Sequence, residues 1–285
     1  MMKTILLTGK SGFLGARIYE YYDSSYNIIA PSHSELDITD EVDCMHFVSE
    51  NNPDYIIHTA AIADTGYCEA HPDESFRVNV NGPVNLAKAC KTTGSRLISM
   101  SSDQVYSAVV HVKKNKENDI VNPKNKYGQD KLSAEKMLNE ILPDAISLRL
   151  TWMFDLPIDK LVTKTNFATM LLDSVNNGRQ LTLSNNEYRG ITYVREVVEN
   201  IEKLFTAPGG VYNFGSPHDY PPYMLATKIF EYLGKAELTN KLINRTDYFS
   251  NLSLDQTKLN AAGISFSSTL DGIIKCMKEH NTGLI

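Results

Sequence analysis

An apolar run, Lys3-Thr4-Ile5-Leu6-Leu7-Thr8, stops at Gly9 and passes through Lys10-Ser11-Gly12-Phe13-Leu14-Gly15 into Ala16-Arg17-Ile18-Tyr19-Glu20-Tyr21-Tyr22. The first run reads as a strand and the last as a helix, so the glycines fall in the turn between them. Few backbones accept that order. It brings backbone N–H groups and the positive end of a helix dipole to one point, where a pyrophosphate is well held. The glycines permit the tight turn and the close approach of phosphate to backbone. The spacing is Gly-x-x-Gly-x-x-Gly, not the commoner Gly-x-Gly-x-x-Gly. An ordinary strand-to-helix turn would need glycine for geometry alone, but the flanking elements favour a dinucleotide cradle. Gly9, Lys10, Ser11, Gly12, Phe13, Leu14 and Gly15 are its candidate residues.

The same alternation continues. Asn27–Ala30 reads as a second strand, and Asp40 caps a helix from Glu41 to about Asn51. Tyr55–His58 is a third strand, and Pro72 opens a long helix closing near Gly94. Arg96–Met100 is a fourth strand, ending at Ser101-Ser102, and Ala145–Leu150 is the next. Strands alternating with helices predict an α/β fold, a doubly wound parallel sheet covered on both faces. Beyond Thr151 the alternation loosens. Thr192–Phe205 reads as a helix and Gly210–Phe214 as a strand returning to the sheet. The expected division is therefore a dinucleotide-binding Rossmann domain over 1–155, with return segments near 191–214. Residues 156–190 and 215–285 would form a smaller substrate-binding domain.

Downstream of Ser101-Ser102 stands Tyr127-Gly128-Gln129-Asp130-Lys131. On a helix Tyr127 and Lys131 share one face. A cation held there would bring the phenol from about 10 toward neutrality. Such a phenol can give a proton to a nascent alkoxide or take one from an alcohol. With 15 Tyr in the chain, one Tyr-x-x-x-Lys is expected roughly once by chance, so its context must carry the reading.

A length of 285 residues with 42% hydrophobic content can bury a full core. No stretch approaches the roughly 20 apolar residues of a membrane span, and no charged-then-apolar export signal opens the chain, so a cytoplasmic protein is expected. Cys44, Cys68, Cys90 and Cys276 are scattered and form no Cys-x-x-Cys pair, which predicts buried inert thiols, with no metal site and no disulfide framework. A net charge of -6 argues against nucleic acid as a partner. The Lys113-Lys114-Asn115-Lys116 stretch reads as a solvated turn.

Taken together, the motifs resemble the extended short-chain dehydrogenase/reductase superfamily, and within it the dTDP-4-dehydrorhamnose reductase family. The likeness rests on the Gly9–Gly15 turn, Leu36-Asp37-Ile38, His58-Thr59-Ala60-Ala61, Cys68-Glu69, and Asn79-Val80-Asn81-Gly82 with Asn85-Leu86-Ala87. It continues through Ser101-Ser102-Asp103-Gln104-Val105-Tyr106, Glu117-x-Asp119 with Pro123 and Asn125, Tyr127-Gly128, and Arg149-Leu150-Thr151-Trp152. Their order is far more specific than any one of them.

The resemblance implies NAD(P)H-dependent reduction of a 4-keto-6-deoxy sugar nucleotide. Ser102 would bond the carbonyl oxygen, Tyr127 would protonate it, and Lys131 would tune Tyr127 and hold the nicotinamide ribose. Asp37 and Ile38 would line the adenine, and Ala60 and Ala61 would border the cofactor. Ser102, Asp103, Gln104 and Trp152 would meet the sugar. A homodimer paired through the helices near Pro72–Gly94 and Tyr127–Ile141 would fit the superfamily.

Some residues depart from that pattern. Gln104 stands where these reductases usually carry Tyr, and Ser107-Ala108 replaces Asp-Gly. The Arg-Pro expected before Asn251-Leu252-Ser253-Leu254-Asp255 is absent, with Arg245 the nearest basic residue. At the tip of the second strand no Asp holds the ribose hydroxyls. Lys10 and His33 could approach a 2′-phosphate and Glu35 oppose it, which leans toward NADP(H) with NAD(H) still used. Competing readings are an epimerase or dehydratase that retains its NAD, and a regulatory subunit like that of methionine adenosyltransferase.

Overall fold

The computed structural model describes residues 2–280. The first half runs β1 (Thr4–Thr8), α1 (Phe13–Tyr22), β2 (Asn27–Ile29), α2 (Glu41–Asn51), β3 (Tyr55–His58), α3 (Thr65–Ala70), α4 (Pro72–Phe76), α5 (Gly82–Thr93), β4 (Arg96–Ser102), α6 (Lys126–Ile141) and β5 (Ile146–Leu150). The second half runs β6 (Trp152–Phe154), α7 (Phe167–Asn177), β7 (Leu181–Leu183), β8 (Glu187–Tyr188), β9 (Ile191–Tyr193), α8 (Val194–Ile201), β10 (Gly210–Phe214), α9 (Pro222–Tyr232), β11 (Leu242–Asn244), β12 (Ser250–Asn251), α10 (Thr257–Ala261) and α11 (Thr269–Glu279).

Six parallel strands make the central sheet in the order β10-β5-β4-β3-β1-β2. The chain reverses direction across the sheet at β1, so the crevice beyond the carboxyl ends of β1 and β3 is the place where such sheets hold ligands. Leu14, Ile18 and Tyr22 of α1, with Val194, Val197, Val198 and Ile201 of α8, cover one face of the sheet. Cys44 and Val48 of α2, Leu86 and Cys90 of α5, and Leu138 of α6 cover the other. This accounts for the unbroken apolar strands: Ile5, Leu6 and Leu7 point alternately into two cores.

Local chemistry sets the boundaries. The Asp40 side chain accepts from Val42 N and Asp43 N and starts α2. The helix expected from Pro72 to Gly94 is instead divided, because Arg77–Asn81 forms a π turn before Gly82 and Pro83 restart it as α5. Proline cannot donate the backbone bond that a continuous helix requires. Gly94, at φ 78, closes α5 in the left-handed region.

Two further expectations change. Ile191–Tyr193 is strand, pairing with β6 outside the main sheet, so the return helix starts at Val194. The described residues from 215 to 280 are not all in the smaller unit, since Leu259 and Ile264 are buried in the core under β10, and residues 281–285 of that expected span lie outside the described residues. The separate C-terminal core gathers Phe154, Phe167, Leu171, Leu225, Phe230 and Ile273, from β6, α7, α9 and α11. No helix among the described residues is long and apolar enough to cross a membrane.

Candidate active site

Two cavities open side by side at the carboxyl ends of β1, β3 and β4. The first, of about 840 Å³, is lined by Gly9, Lys10, Ser11, Gly12, His33, Asp37, Ile38, Ala60 and Ala61. The second, of about 450 Å³, is lined by Gly12, Phe13, Leu14, Gly15, Ala61, Ser102, Asp103, Gln104, Tyr127, Lys131 and Trp152. Every residue expected from the sequence to bind cofactor or substrate, or to move the proton, therefore borders one cavity or both.

The turn between β1 and α1 is shaped by close packing. Gly9 has φ +79, and a methyl group on it would come within 2.6 Å of Ala60 N. A methyl on Gly15 would overlap the Gly9 carbonyl oxygen, whereas one on Gly12 would meet that oxygen at 3.2 Å and nothing else nearby. Gly9 and Gly15 thus serve the fold, and Gly12 serves the opening. Gly12 begins α1 with no side-chain cap, and the first turn holds no acid. The helix N–H groups are left for an external acceptor, which fits a pyrophosphate.

At the far end of this cavity, Asp37 Oδ1 accepts from Thr39 N (2.9 Å) and Thr39 Oγ1 (2.8 Å), bonds that hold its carboxyl below the usual range. Glu35 Oε2 accepts from Ser32 N and Ser32 Oγ, both at 2.7 Å, which lowers its pKa and ties its charge to the turn. The Lys10 ammonium lies 3.3 Å from the centre of the Tyr19 ring.

Two elements, β4 and α6, bring the candidate trio Ser102, Tyr127 and Lys131 together. β4 carries Ser102, whose Oγ accepts from Gln104 N (3.2 Å) and faces Asp103 Oδ1 at 3.4 Å. Asn125 caps α6 by accepting from Gly128 N (2.7 Å), and its own amide donates to Gln104 Oε1 at 2.8 Å. Gln104, where a Tyr was expected, thus braces the helix that carries Tyr127. Lys131, one turn on and buried, donates to Met100 O at 2.8 Å.

The electrostatics correct one expectation. Lys131 Nζ stands 5.6 Å from the Tyr127 ring centre, committed to a carbonyl. Burial raises the Tyr127 phenol above its ordinary value, Ser102 opposes this, and Asp103 and Cys68 add to it. The phenol is therefore not brought toward neutrality. Burial also pulls Lys131 down to about 8, against the pull of Cys68, Glu135 and Asp130. A raised phenol stays protonated throughout the neutral range, the state a proton donor needs.

Beneath the trio lies a buried network. Arg149 on β5 grips Glu135 of α6, Nε to Oε1 at 3.0 Å and Nη2 to Oε2 at 2.7 Å, and Ser101 Oγ donates to the same carboxylate. Arg149 Nη1 also donates to Tyr106 Oη, which in turn donates to Asn213 Oδ1 at 2.9 Å. This ties β4, β5, β10 and α6 into one register. A third cleft, of about 860 Å³, lies behind α6, but its Arg149 and Lys258 are spent on Glu135 and Val211 O.

Sequence reasoning missed Arg189, Lys164 and Thr151 in the second cavity, and Lys160–Val162 at the first. Arg189 lies in the turn after β8, where no periodicity marks it. Its Nη2 donates to Asp103 Oδ2 at 2.9 Å, and its guanidinium stands 5.5 Å from the Trp152 ring. Arg245, the basic residue expected to serve here, is half exposed and paired with Asp247. The Lys113–Lys116 stretch is pinned by its backbone: Asn251 Nδ2 donates to Lys113 O, and buried Asn115 bridges to Leu254. Asp155, Cys276 and His280 hold potential metal donors within 4.8 Å of one another. Arg17 Nε, 2.6 Å from Asp155, makes this cluster an ion-pair network that ties the last helix to α1. All four cysteines are buried and free.

With the geometry in hand, known proteins give it a context. Residues 2–257 match the family model described as the RmlD substrate binding domain. The chain is 28% identical over 281 residues to dTDP-4-dehydrorhamnose reductase of Aggregatibacter actinomycetemcomitans, covering 92% of this chain and 93% of that one. It is 25% identical over 282 residues to methionine adenosyltransferase 2 subunit beta of Bos taurus, at 92% and 83% coverage. In fold it is similar to dTDP-4-dehydrorhamnose reductase of Bacillus anthracis, solved in complex with NADP, with a TM-score of 0.86, 22% identity, and coverage of 98% and 99%.

Proposed function

We propose that this chain, which belongs to the RmlD substrate binding domain family, is an NAD(P)H-dependent reductase of a 4-keto-6-deoxy sugar nucleotide. The observation that carries the reading is a single one. Ser102, Tyr127 and Lys131 line one cavity that shares Gly12 and Ala61 with the cleft over the uncapped start of α1. Gly9, Lys10, Ser11, Gly12, Asp37, Ile38, Ala60 and Ala61 would hold the dinucleotide, and Trp152 and Gln104 would meet the sugar.

A bound reduced nicotinamide supplies hydride to the carbonyl carbon. As charge grows on the carbonyl oxygen, Ser102 donates a hydrogen bond to it and Tyr127 delivers the proton. Both contacts strengthen with that charge, so they lower the barrier more than they tighten ground-state binding. Lys131 would hold the nicotinamide ribose, the other role that the resemblance gives it.

The test is incubation with dTDP-4-keto-6-deoxy sugar and NADPH. Stoichiometric loss of the reduced-nicotinamide absorbance supports the reductase. Sugar isomerisation without net oxidation would support an epimerase that retains its NAD. The likeness to methionine adenosyltransferase 2 subunit beta keeps a regulatory reading in view. Tight cofactor binding with neither reaction would favour it over the reductase.

A further inference from the structure

Asp103 and Arg189 form an ion pair that the reductase chemistry does not by itself require. Asp103 follows Ser102 directly and is 2% exposed. One of its oxygens faces Ser102 Oγ at 3.4 Å and the other accepts from Arg189 Nη2 at 2.9 Å. Arg189 comes from the opposite wall, between β8 and β9. Its Nε is buried without a partner, and a 3.4 Å contact to Glu187 holds Nη1. The carboxylate next to the catalytic hydroxyl is thus balanced by a cation borrowed from the C-terminal unit.

We propose that Arg189 is a positioning residue for the Ser102–Tyr127 proton-donating pair, acting through Asp103. The ion pair fixes the carboxylate that Ser102 leans on and offsets its charge beside the phenol. The phenol is faced by Ser102 and Asp103 at the end of β4, by Cys68 from α3 and by Lys131 from its own helix, with Lys164 and Arg189 across the cavity. Of these, Asp103 is the one carboxylate whose charge opposes phenolate formation directly. Its own pKa is raised by burial and drawn down by Arg189, so the guanidinium decides how that carboxylate behaves. An uncompensated Asp103 would disfavour the phenolate that each reduction leaves, and would hold the Ser102 hydroxyl away from substrate.

The inference rests on the reductase reading, and a double-mutant cycle with one substrate-free measurement separates the two. Arg189→Met should lower kcat by about tenfold or more and move the alkaline limb of the kcat profile upward, with NADPH affinity within about twofold. Arg189→Lys should restore most of both. In an Asp103→Asn background, where no charge needs balancing, Arg189→Met should cost less than about threefold. Equal losses in the two backgrounds would overturn the proposal and make Arg189 a direct substrate contact. The substrate-free readout is the resonance of tyrosine labelled at the ζ carbon, assigned to Tyr127 by its absence in Tyr127→Phe. It should move in Arg189→Met and return in the Asp103→Asn double variant. A moved resonance in a protein that does not reduce the keto sugar would sink the reductase reading and leave the pair standing. An unmoved resonance in an active enzyme would do the reverse.

Discussion

At the scale of single residues Tyr127 is the proposed proton donor, and its neighbours set how it can be tested. Tyr127→Phe removes the proton donor with little change of shape. It should cost about 10²–10⁴ in kcat with cofactor affinity within a few fold, read by steady-state kinetics and fluorescence titration. Near-normal turnover would return Tyr-x-x-x-Lys to chance. Lys131 makes a pH prediction. Its ammonium, pulled down to about 8, loses charge as pH rises through that value. NADPH binding should therefore weaken above about pH 8 in the wild type and be flat and weak in Lys131→Met; a flat wild-type profile would count against Lys131 as the ribose ligand. His58 makes the opposite kind of prediction. Burial holds its folded pKa at about 3, below the unfolded value of about 6.5, so the unfolded chain gains the proton first. Its contribution is intact above about pH 6.5 and is lost as pH falls toward 3, by about 1.4 kcal/mol per pH unit. Urea midpoints of the wild type should fall with acid more steeply than those of His58→Asn.

At the scale of elements, two joints decide whether the site exists. Gly12→Ala should fold, because the added methyl meets one oxygen at 3.2 Å, yet it should abolish NADPH binding by filling the space over the start of α1. Gly15→Ala should lose stability instead, since α1 cannot then lie against the Gly9 carbonyl. Equal binding defects with equal melting temperatures would contradict that division of labour. The second joint is Arg149–Glu135, both partners at most 4% exposed along their side chains. Removing one partner of a buried pair typically costs about 3–5 kcal/mol, because the other is left charged and dry. Arg149→Met should show that loss in urea denaturation, and the double variant Arg149→Met with Glu135→Leu should recover part of it.

The whole molecule adds cofactor choice and assembly. Glu35 is folded back on Ser32, which ties its charge to the turn after β2, while Lys10 and His33 line the same cavity. NADPH should be preferred weakly, with NADH used; a preference for NADH beyond about tenfold in kcat/KM, roughly 1.4 kcal/mol, would refute this. For the homodimer suggested by the resemblance, Phe76 at the end of α4 is exposed, whereas α5 and α6 turn most of their apolar residues inward. Leu86, Ala87 and Cys90 of α5 and Leu138 of α6 pack in the monomer core. Lys88 and Lys91 of α5, with Gln129, Lys136 and Glu140 of α6, face outward. A dimer through these helices would rest on charge, so its mass by light scattering should fall toward 31.9 kDa as salt rises.

What the sequence determined by itself was local or periodic. The apolar run into the glycine turn, the Asp40 cap, the Gly94 stop and the four-residue spacing of Tyr127 and Lys131 are written within a few residues each, and the structure has them in those places. Family motifs then brought Ser102, Asp37 and Trp152 to the site from distant segments. Contacts between segments far apart in sequence were decided only by the tertiary structure. Arg189 meets Asp103 across 86 positions, and its turn carries no signature. The direction of the Tyr127 shift depended on how deeply the phenol is buried and which charges face it, and spacing supplies neither. The π turn before Gly82 and the packing of Leu259 against β10 have the same origin: neighbouring elements, by the surface they bury, overrule what each segment would prefer alone.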